Sequence, residues 1–232
     1  MLPSALLSLH LILASIVPYI AQPRGPYCAA ASVLMAGAPL GLSIPLPELL
    51  RRVPVHRDGL AWLDLHAALE PLGYGLVVAK VPPDTLHALL AAGLPVVVAV
   101  RPGGDAGPKH TWVVTGRTPQ GYSVLDPADA GLRTVTPAAL QRVWLGGEVV
   151  VVLRQGAPKP PGVDWAPLEA QSRRYQAVEW ALRAAAVGRP NAQALALLDR
   201  ALAADASLPE LHAARARVLQ AMRAAEAPPS AP

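Results

Sequence analysis

The fold is decided by Gln22-Pro-Arg-Gly-Pro-Tyr-Cys28-Ala-Ala-Ala-Ser-Val-Leu-Met35, where irregular sequence gives way to an apolar, helix-forming run. Cys28, the only cysteine of the chain, stands at this junction. A thiolate at the start of a helix is stabilised by unsatisfied N–H groups and by the helix dipole. A lone thiol is more often a small buried hydrophobe. By itself, therefore, Cys28 is only a candidate nucleophile, with Gln22 as a candidate donor to a developing oxyanion.

Two later segments supply candidate partners for this thiol. The stretch from His110 to Asp126 reads as two strands, at 110–115 and 122–125, joined by a turn that contains Gly and Pro. A histidine therefore opens one strand and an aspartate closes its neighbour. In an antiparallel pair these ends lie side by side. The carboxylate of Asp126 can then accept from one imidazole nitrogen while the other faces the thiol.

Each of these residues also has a structural interpretation. His110 could be a partly buried strand histidine, and Asp126, which precedes Pro127, could simply start a turn. Asp129 competes with Asp126 for the orienting role, although it lies deeper in the predicted turn. All four residue types in this order favour a catalytic site over four separate structural roles.

The order Gln-x5-Cys, then a histidine heading an apolar strand, then Asp-Pro after a short hairpin resembles the bacteriocin-processing (double-glycine leader) peptidase family of papain-fold cysteine peptidases. The resemblance covers roughly residues 17–153. It implies a peptide or protein substrate and hydrolysis without a cofactor. Members commonly follow the nucleophile with Gly-Pro, whereas Ala29 and Ala30 stand here. Substrate approach near the nucleophile is therefore expected to differ.

The resemblance also assigns a role to each candidate residue. Cys28 would be the nucleophile and His110 the general acid and base. Asp126 would be the orienting acid, and Gln22 the oxyanion donor. The expected fold class is α+β: a papain-like fold with a helical lobe around Cys28, facing a small antiparallel sheet that carries the histidine and the aspartate. The local patterns agree, with helices predicted at 59–72 and 83–92 and strands at 76–81, 94–100 and 146–153.

The composition argues against several other classes of function. The formal net charge of +4 is spread along the chain without a basic stripe, so we expect no nucleic-acid partner. We expect no metal site, because the six histidines show no ligand spacing and there is no second cysteine. Glycine-rich phosphate-binding motifs are absent as well.

Residues 1–16 form an almost wholly apolar N-terminal segment with two possible roles. It resembles the apolar region of a signal peptide, yet it lacks a basic beginning and an A-x-A cleavage site. It is short for a transmembrane span, and residues 17–22 already match the start of the peptidase. We favour an export signal or membrane anchor in a bacterium over a first helix packed on a cytoplasmic domain.

The chain changes character after the peptidase domain, which we place at 17–154. A linker rich in Pro and Gly follows at 155–164. The next segment, 165–225, resembles about one and a half tetratricopeptide repeats, with helices predicted at 167–187, 192–204 and 209–225. Such repeats need neighbours to bury their faces, so the segment would receive a protein partner, self-associate or cap the peptidase. Residues 226–232 are predicted to be a disordered tail.

The same site is compatible with two alternatives to hydrolysis. A degenerate peptidase-like domain could bind a peptide without cleaving it, although such a domain would be free to lose any of the four residues. An acyl transferase would use all four with an acceptor other than water. The sequence does not separate hydrolysis from acyl transfer, and it does not identify the substrate.

Overall fold

The computed structural model describes residues 17–56, 59–104 and 107–226. The apolar segment 1–16 and residues 227–232 of the predicted tail 226–232 lie outside the described residues, whereas Glu226 ends the last helix. The chain divides into two compact units, Met1–Leu168 and Glu169–Pro232. Within the described ranges, no helix is both long enough and apolar enough to cross a membrane.

The first unit contains a set of short helices, the first of which begins at the cysteine. The helices are α1 (Cys28–Gly37), α2 (Leu46–Arg52), α3 (Trp62–Leu69), α4 (Pro83–Ala91) and α5 (Pro137–Val143). A proline stands in the first turn of α2, α4 and α5, where its missing N–H costs no helical hydrogen bond. Helix α3 continues into a 3₁₀ turn that ends at Gly73, whose φ of +81° favours glycine.

Six strands form one antiparallel sheet. They are β1 (Tyr74–Lys80), β2 (Val96–Val100), β3 (His110–Thr118), β4 (Gly121–Asp126), β5 (Asp129–Val135) and β6 (Trp144–Arg154). Their order in the sheet is β1-β6-β2-β3-β4-β5. Strand β2 is wholly buried between β6 and β3, as its uninterrupted apolar run of four valines and Ala99 predicts. The predicted α+β class, with helices and an antiparallel sheet, is confirmed.

Helix α1 is fixed against the middle of this sheet. Its residues from Ala29 to Gly37 are buried, and the helix packs on β3, which its many small side chains allow at close range. The hydroxyl groups of Ser32 in α1 and Thr111 in β3 share a buried hydrogen bond of 2.9 Å. This bond satisfies two hydroxyls that burial would otherwise leave unpaired. The helix start is thereby held beside the strand that His110 opens.

The first unit extends past the predicted linker. Trp165 and Leu168 are buried in the core that the sheet forms with α4. The indole N–H of Trp165 also donates to the carbonyl of Pro160, 3.0 Å away. The first compact unit ends at Leu168, and the predicted linker at 155–164 stays a prediction.

The second unit is helical over the residues that the structure describes. Helix α6 (Trp165–Ala186) begins in the first unit, and α7 (Ala192–Ala204) and α8 (Pro209–Glu226) follow. One small buried cluster of the second unit consists of Ala177, Ala201 and Leu211, and Ala184, Ala194 and Leu198 are buried as well. The three helices were predicted at nearly these positions. Their kinship with tetratricopeptide repeats stays a prediction.

Candidate active site

Cys28 is the first residue of α1 and lies in a cleft of about 710 Å³. Its thiol is free and half-buried. Burial raises the pKa of the thiol, but a hydrogen bond and the positive charge of His110 lower it. Smaller contributions come from hydrogen bonds of Thr111 and the Ala29 backbone, and the net pKa lies below the ordinary value for cysteine. The nucleophilic thiolate is therefore more populated near neutral pH than in an isolated cysteine.

His110 and Asp126 meet at the end of the β3–β4 pair, on the other wall of the cleft. The Nε2 atom of His110 lies 2.6 Å from Oδ1 of Asp126. Because Nε2–H donates to the carboxylate, Nδ1 is left for the thiol of Cys28. Burial lowers the pKa of His110, but hydrogen bonds and charges from Asp126 and Cys28 raise it to about 9. The imidazole therefore favours its protonated form at neutral pH, and its positive charge favours the thiolate form of Cys28.

The carboxylate of Asp126, and not that of Asp129, faces the histidine. Burial raises the pKa of Asp126, but its hydrogen bond with His110 and the backbone N–H of Ala128 outweigh burial and lower that pKa. The N–H of Ala128 donates to Oδ1 at 2.9 Å. The side chain of Asp129 is 75% exposed and lies 3.9 Å from Arg133. An exposed carboxylate held by a long ion pair cannot orient the imidazole as Asp126 does.

Gln22 lines the same cleft as the cysteine and the histidine. Its backbone N–H donates to the carbonyl of Pro127 at 2.9 Å, which ties this segment to the turn after Asp126. Its side-chain Nε2 donates a long bond of 3.5 Å to the carbonyl of Gly25. Its buried Oε1 has no hydrogen-bond partner among the described residues. A carboxamide held so loosely can turn its N–H toward an oxyanion without breaking a strong bond.

Glycine and proline make up much of the remaining cleft wall, at Gly25, Pro26, Pro102, Gly103 and Pro108. These residues leave backbone groups accessible to an extended peptide. In the part of the chain that the structure describes, no group of three His, Cys, Asp or Glu side chains is placed to hold a metal ion. The groups that the described part of the cleft presents are the thiol of Cys28, the imidazole of His110 and the side-chain amide of Gln22.

Two further residues contact Asp126 that the sequence analysis missed. The indole N–H of Trp112 donates to Oδ2 at 2.8 Å, and Nη2 of Arg133 donates to the same oxygen at 2.9 Å. Trp112 follows His110 by two positions in β3, so both side chains lie on one face of the strand. That spacing could have identified Trp112. Arg133 lies on β5, a strand that was not predicted.

Comparison with known protein families matches the part of the chain that contains this site. The model of the peptidase C39 family matches residues 16–156, more than half of the 232 residues. Among curated proteins, none matches the chain significantly.

Three solved structures share the fold of this region. A double-glycine-motif protease from an AMS/PCAT transporter, in complex with the leader peptide, is 23% identical with a TM-score of 0.50, and the match covers 60% of this chain and 92% of that one. The peptidase domain of Streptococcus ComA, a bifunctional ABC transporter of a quorum-sensing pathway, is 18% identical with a TM-score of 0.52. This match covers 60% of this chain and 99% of that one. A C39-like protein from Bacillus anthracis is 15% identical with a TM-score of 0.52, covering 62% and 97%. At these identities the likeness establishes the papain-like fold.

Proposed function

The chain belongs to the peptidase C39 family, and on this premise we propose that it is a cysteine peptidase with Cys28 as its nucleophile. The observation that carries the proposal is the pairing of this thiol with His110 in an open cleft. The pKa of the thiol is lowered and that of the imidazole is raised to about 9, so each group favours the charged form of the other. A cysteine that only fills space would need no such partner.

In the proposed acylation step, the Cys28 thiolate attacks the carbonyl carbon of the scissile peptide bond. The side-chain amide of Gln22 and the N–H groups at the start of α1 stabilise the charge that develops on the carbonyl oxygen. The imidazolium of His110 then gives its proton to the leaving amine. The C–N bond breaks, and a thioester joins the acyl part of the substrate to the enzyme.

In the proposed deacylation step, the now neutral His110 removes a proton from water. The water oxygen attacks the thioester carbonyl, the C–S bond breaks, and the acid product leaves. Cys28 departs as a thiolate beside the reprotonated imidazole, which restores the ion pair. Asp126 accepts from Nε2–H throughout and holds the ring in the tautomer that both steps require.

We propose a peptide with a double-glycine leader as the first substrate class to test. A leader peptide is bound in the solved structure of the transporter protease described above. The cleft of this chain supports the choice, because glycine and proline line it beside Cys28 and leave room for an extended peptide backbone. The glycines and prolines of the cleft select no particular substrate sequence after the leader.

Mass spectrometry of a peptide library tests the proposal. The library would contain leader peptides that end in two glycines and matched peptides in which two alanines replace them. We expect the full-length protein to release products and Cys28→Ala to release none. Absence of Cys28-dependent cleavage, with the peptides still bound, would favour a peptide-binding module over an enzyme. Products that carry an added amine at the new carboxyl end would favour acyl transfer over hydrolysis.

We further propose that the second unit, Glu169–Pro232, receives a protein partner as a tetratricopeptide-like module.

We also propose that residues 1–16 direct export or membrane association in a bacterium. The apolar composition of residues 2–16 supports this proposal. Fractionation of bacterial cells that produce the protein with and without these residues tests it. Equal distribution of both forms in the cytoplasm would contradict export.

A further inference from the structure

Asp126 divides its hydrogen bonds between its two oxygens. Oδ1 accepts from His110 and from the backbone N–H of Ala128, at 2.6 and 2.9 Å. Oδ2 accepts from Trp112 and from Arg133, at 2.8 and 2.9 Å. The carboxylate side chain is only 9% exposed. Oδ1 therefore accepts from the histidine, while Oδ2 is fixed by two side chains that have no part in the proposed mechanism.

The sheet places these two side chains on the same face as the carboxylate. In the β4–β5 pairing Arg133 stands opposite Val124, close to the irregular end of β4 at Asp126, and the hydrogen bond from Nη2 of Arg133 to Oδ2 places its side chain on the side of the carboxylate. The guanidinium carbon of Arg133 lies 4.4 Å from the centroid of the Trp112 ring. Stacking on the indole restricts the guanidinium and aims it at Oδ2. Arg133 and Trp112 thus form one unit against the outer side of the carboxylate.

The charge of Arg133 opposes the effect of Asp126 on the histidine. The ionisable groups that face His110 are Cys28 from α1 and Asp126 from β4. On β5, Arg133 forms an ion pair with Asp126 and a longer one with the exposed Asp129. Lys109 precedes the histidine and lines the cleft. Asp126 stabilises the imidazolium, whereas Arg133 neutralises part of that carboxylate charge. Without Arg133 the imidazolium would hold its proton more tightly and would be a poorer acid toward a leaving amine.

We propose that Arg133 is a positioning residue of the active site, which acts through Asp126 by fixing its Oδ2 and limiting how strongly the carboxylate stabilises the imidazolium of His110. This role rests on the proposed peptidase function. Arg133 does not line the cleft and needs no contact with substrate. Its substitution should therefore change kcat and the titration of the histidine while leaving KM nearly unchanged.

The test is the titration of His110 by NMR in full-length protein labelled with ¹³C-histidine, with the signal assigned by its loss in His110→Ala. We expect a midpoint near pH 9 in the wild type. Arg133→Gln should raise the midpoint by about half a pH unit, as expected for a partly exposed charge that acts through a neighbouring group. Arg133→Lys keeps the charge and should restore the wild-type midpoint. Arg142→Gln, at an exposed arginine of α5, is the matched control.

Hydrolysis of a cleavable peptide gives the second readout. Arg133→Gln should lower kcat by about 3- to 10-fold with little change in KM, because orientation of the base is loosened. The proposal would be overturned if the midpoint of the His110 titration in Arg133→Gln stays at the value of the Arg142→Gln control or falls below it. This holds whether or not the variant unfolds more easily. The titration needs no substrate, so it remains informative if the wild type cleaves no peptide. Absence of cleavage would count against the peptidase function alone.

Discussion

The two walls of the cleft are built in different ways. The wall of Cys28 is the start of an apolar helix, in which every residue from Ala29 to Gly37 is buried. The wall of His110 is a polar edge of the sheet, where Asp126 alone accepts four hydrogen bonds. The thiol of Cys28 has a fixed place at the helix start with access to the cleft. The imidazole of His110 is held in one orientation by Asp126, which is itself fixed by several partners.

This difference predicts different responses to substitution. Loss of a group on the helix wall removes an atom that forms a bond or stabilises a charge. Loss of a group that supports His110 on the sheet wall leaves the thiol and the imidazole present but lets the imidazole turn. Two variants separate these cases and a third removes helices outside the cleft, from the largest expected effect to the smallest.

The largest effect is expected from Asp126→Asn on the sheet wall. Asparagine keeps the shape, but its NH₂ can face His110 and stabilise the wrong tautomer, so kcat should fall between about 10² and 10⁴-fold. Asp129→Asn is the matched control and should change kcat less than twofold, because Asp129 is exposed and does not contact the imidazole. Peptide hydrolysis followed at one pH measures both. Equal losses in the two variants would contradict the assignment of Asp126 as the orienting acid.

A smaller effect is expected from Gln22→Ala, in the segment that leads into the helix wall. Removal of an oxyanion donor should lower kcat by roughly 10²-fold. The rate at which iodoacetamide alkylates Cys28 should hardly change, because the donor acts on the transition state and not on the thiolate. The two rates are measured on the same preparation. If hydrolysis proceeds at the wild-type rate, Gln22 has only a structural role before the turn.

The smallest effect on hydrolysis is expected from removal of α7 and α8, since every lining residue of the cleft precedes Leu168. A protein ending at Ala186 should hydrolyse a small peptide within about twofold of the wild-type rate. A protein ending at Gly156 also loses Trp165 and Leu168 from the core, which should lower the free energy of unfolding by about 3 kcal/mol or more. Urea unfolding of both proteins checks this. Equal stability would show that these two side chains add little to the first unit.

Much of the architecture around the cleft could be predicted from local signals. Glycine and proline mark the ends of α3 and α4, and the buried run of valines identifies β2. The hairpin of β3 and β4 was predicted from its turn residues, and the structure brings His110 and Asp126 together as that hairpin requires. These features depend on a few neighbouring residues, so they can be predicted from the sequence alone.

The missed features depend on distant partners. Strand β5 is mostly exposed and carries Gly131 and two charged residues, so it shows no apolar alternation. It forms because β4 offers a free edge, which a local pattern cannot reveal. Arg133 was therefore missed as a partner of Asp126. Likewise, Trp165 looks like the first residue after a linker, and only the folded core shows where its side chain is buried.

The most direct test of the central claim is the rate of Cys28 alkylation by iodoacetamide as a function of pH, in wild type and in His110→Ala. The ion pair lowers the pKa of the thiol, so the wild-type rate should rise at a pH below the ordinary cysteine range. The pair should persist until His110 loses its proton near pH 9. In His110→Ala burial stays the largest influence on the thiol pKa, and only the smaller contributions of Thr111 and the Ala29 backbone oppose it, so the rise should move up toward the ordinary range or above it. A wild-type profile that rises only in the ordinary cysteine range, unchanged by the substitution, would contradict an activated nucleophile at Cys28.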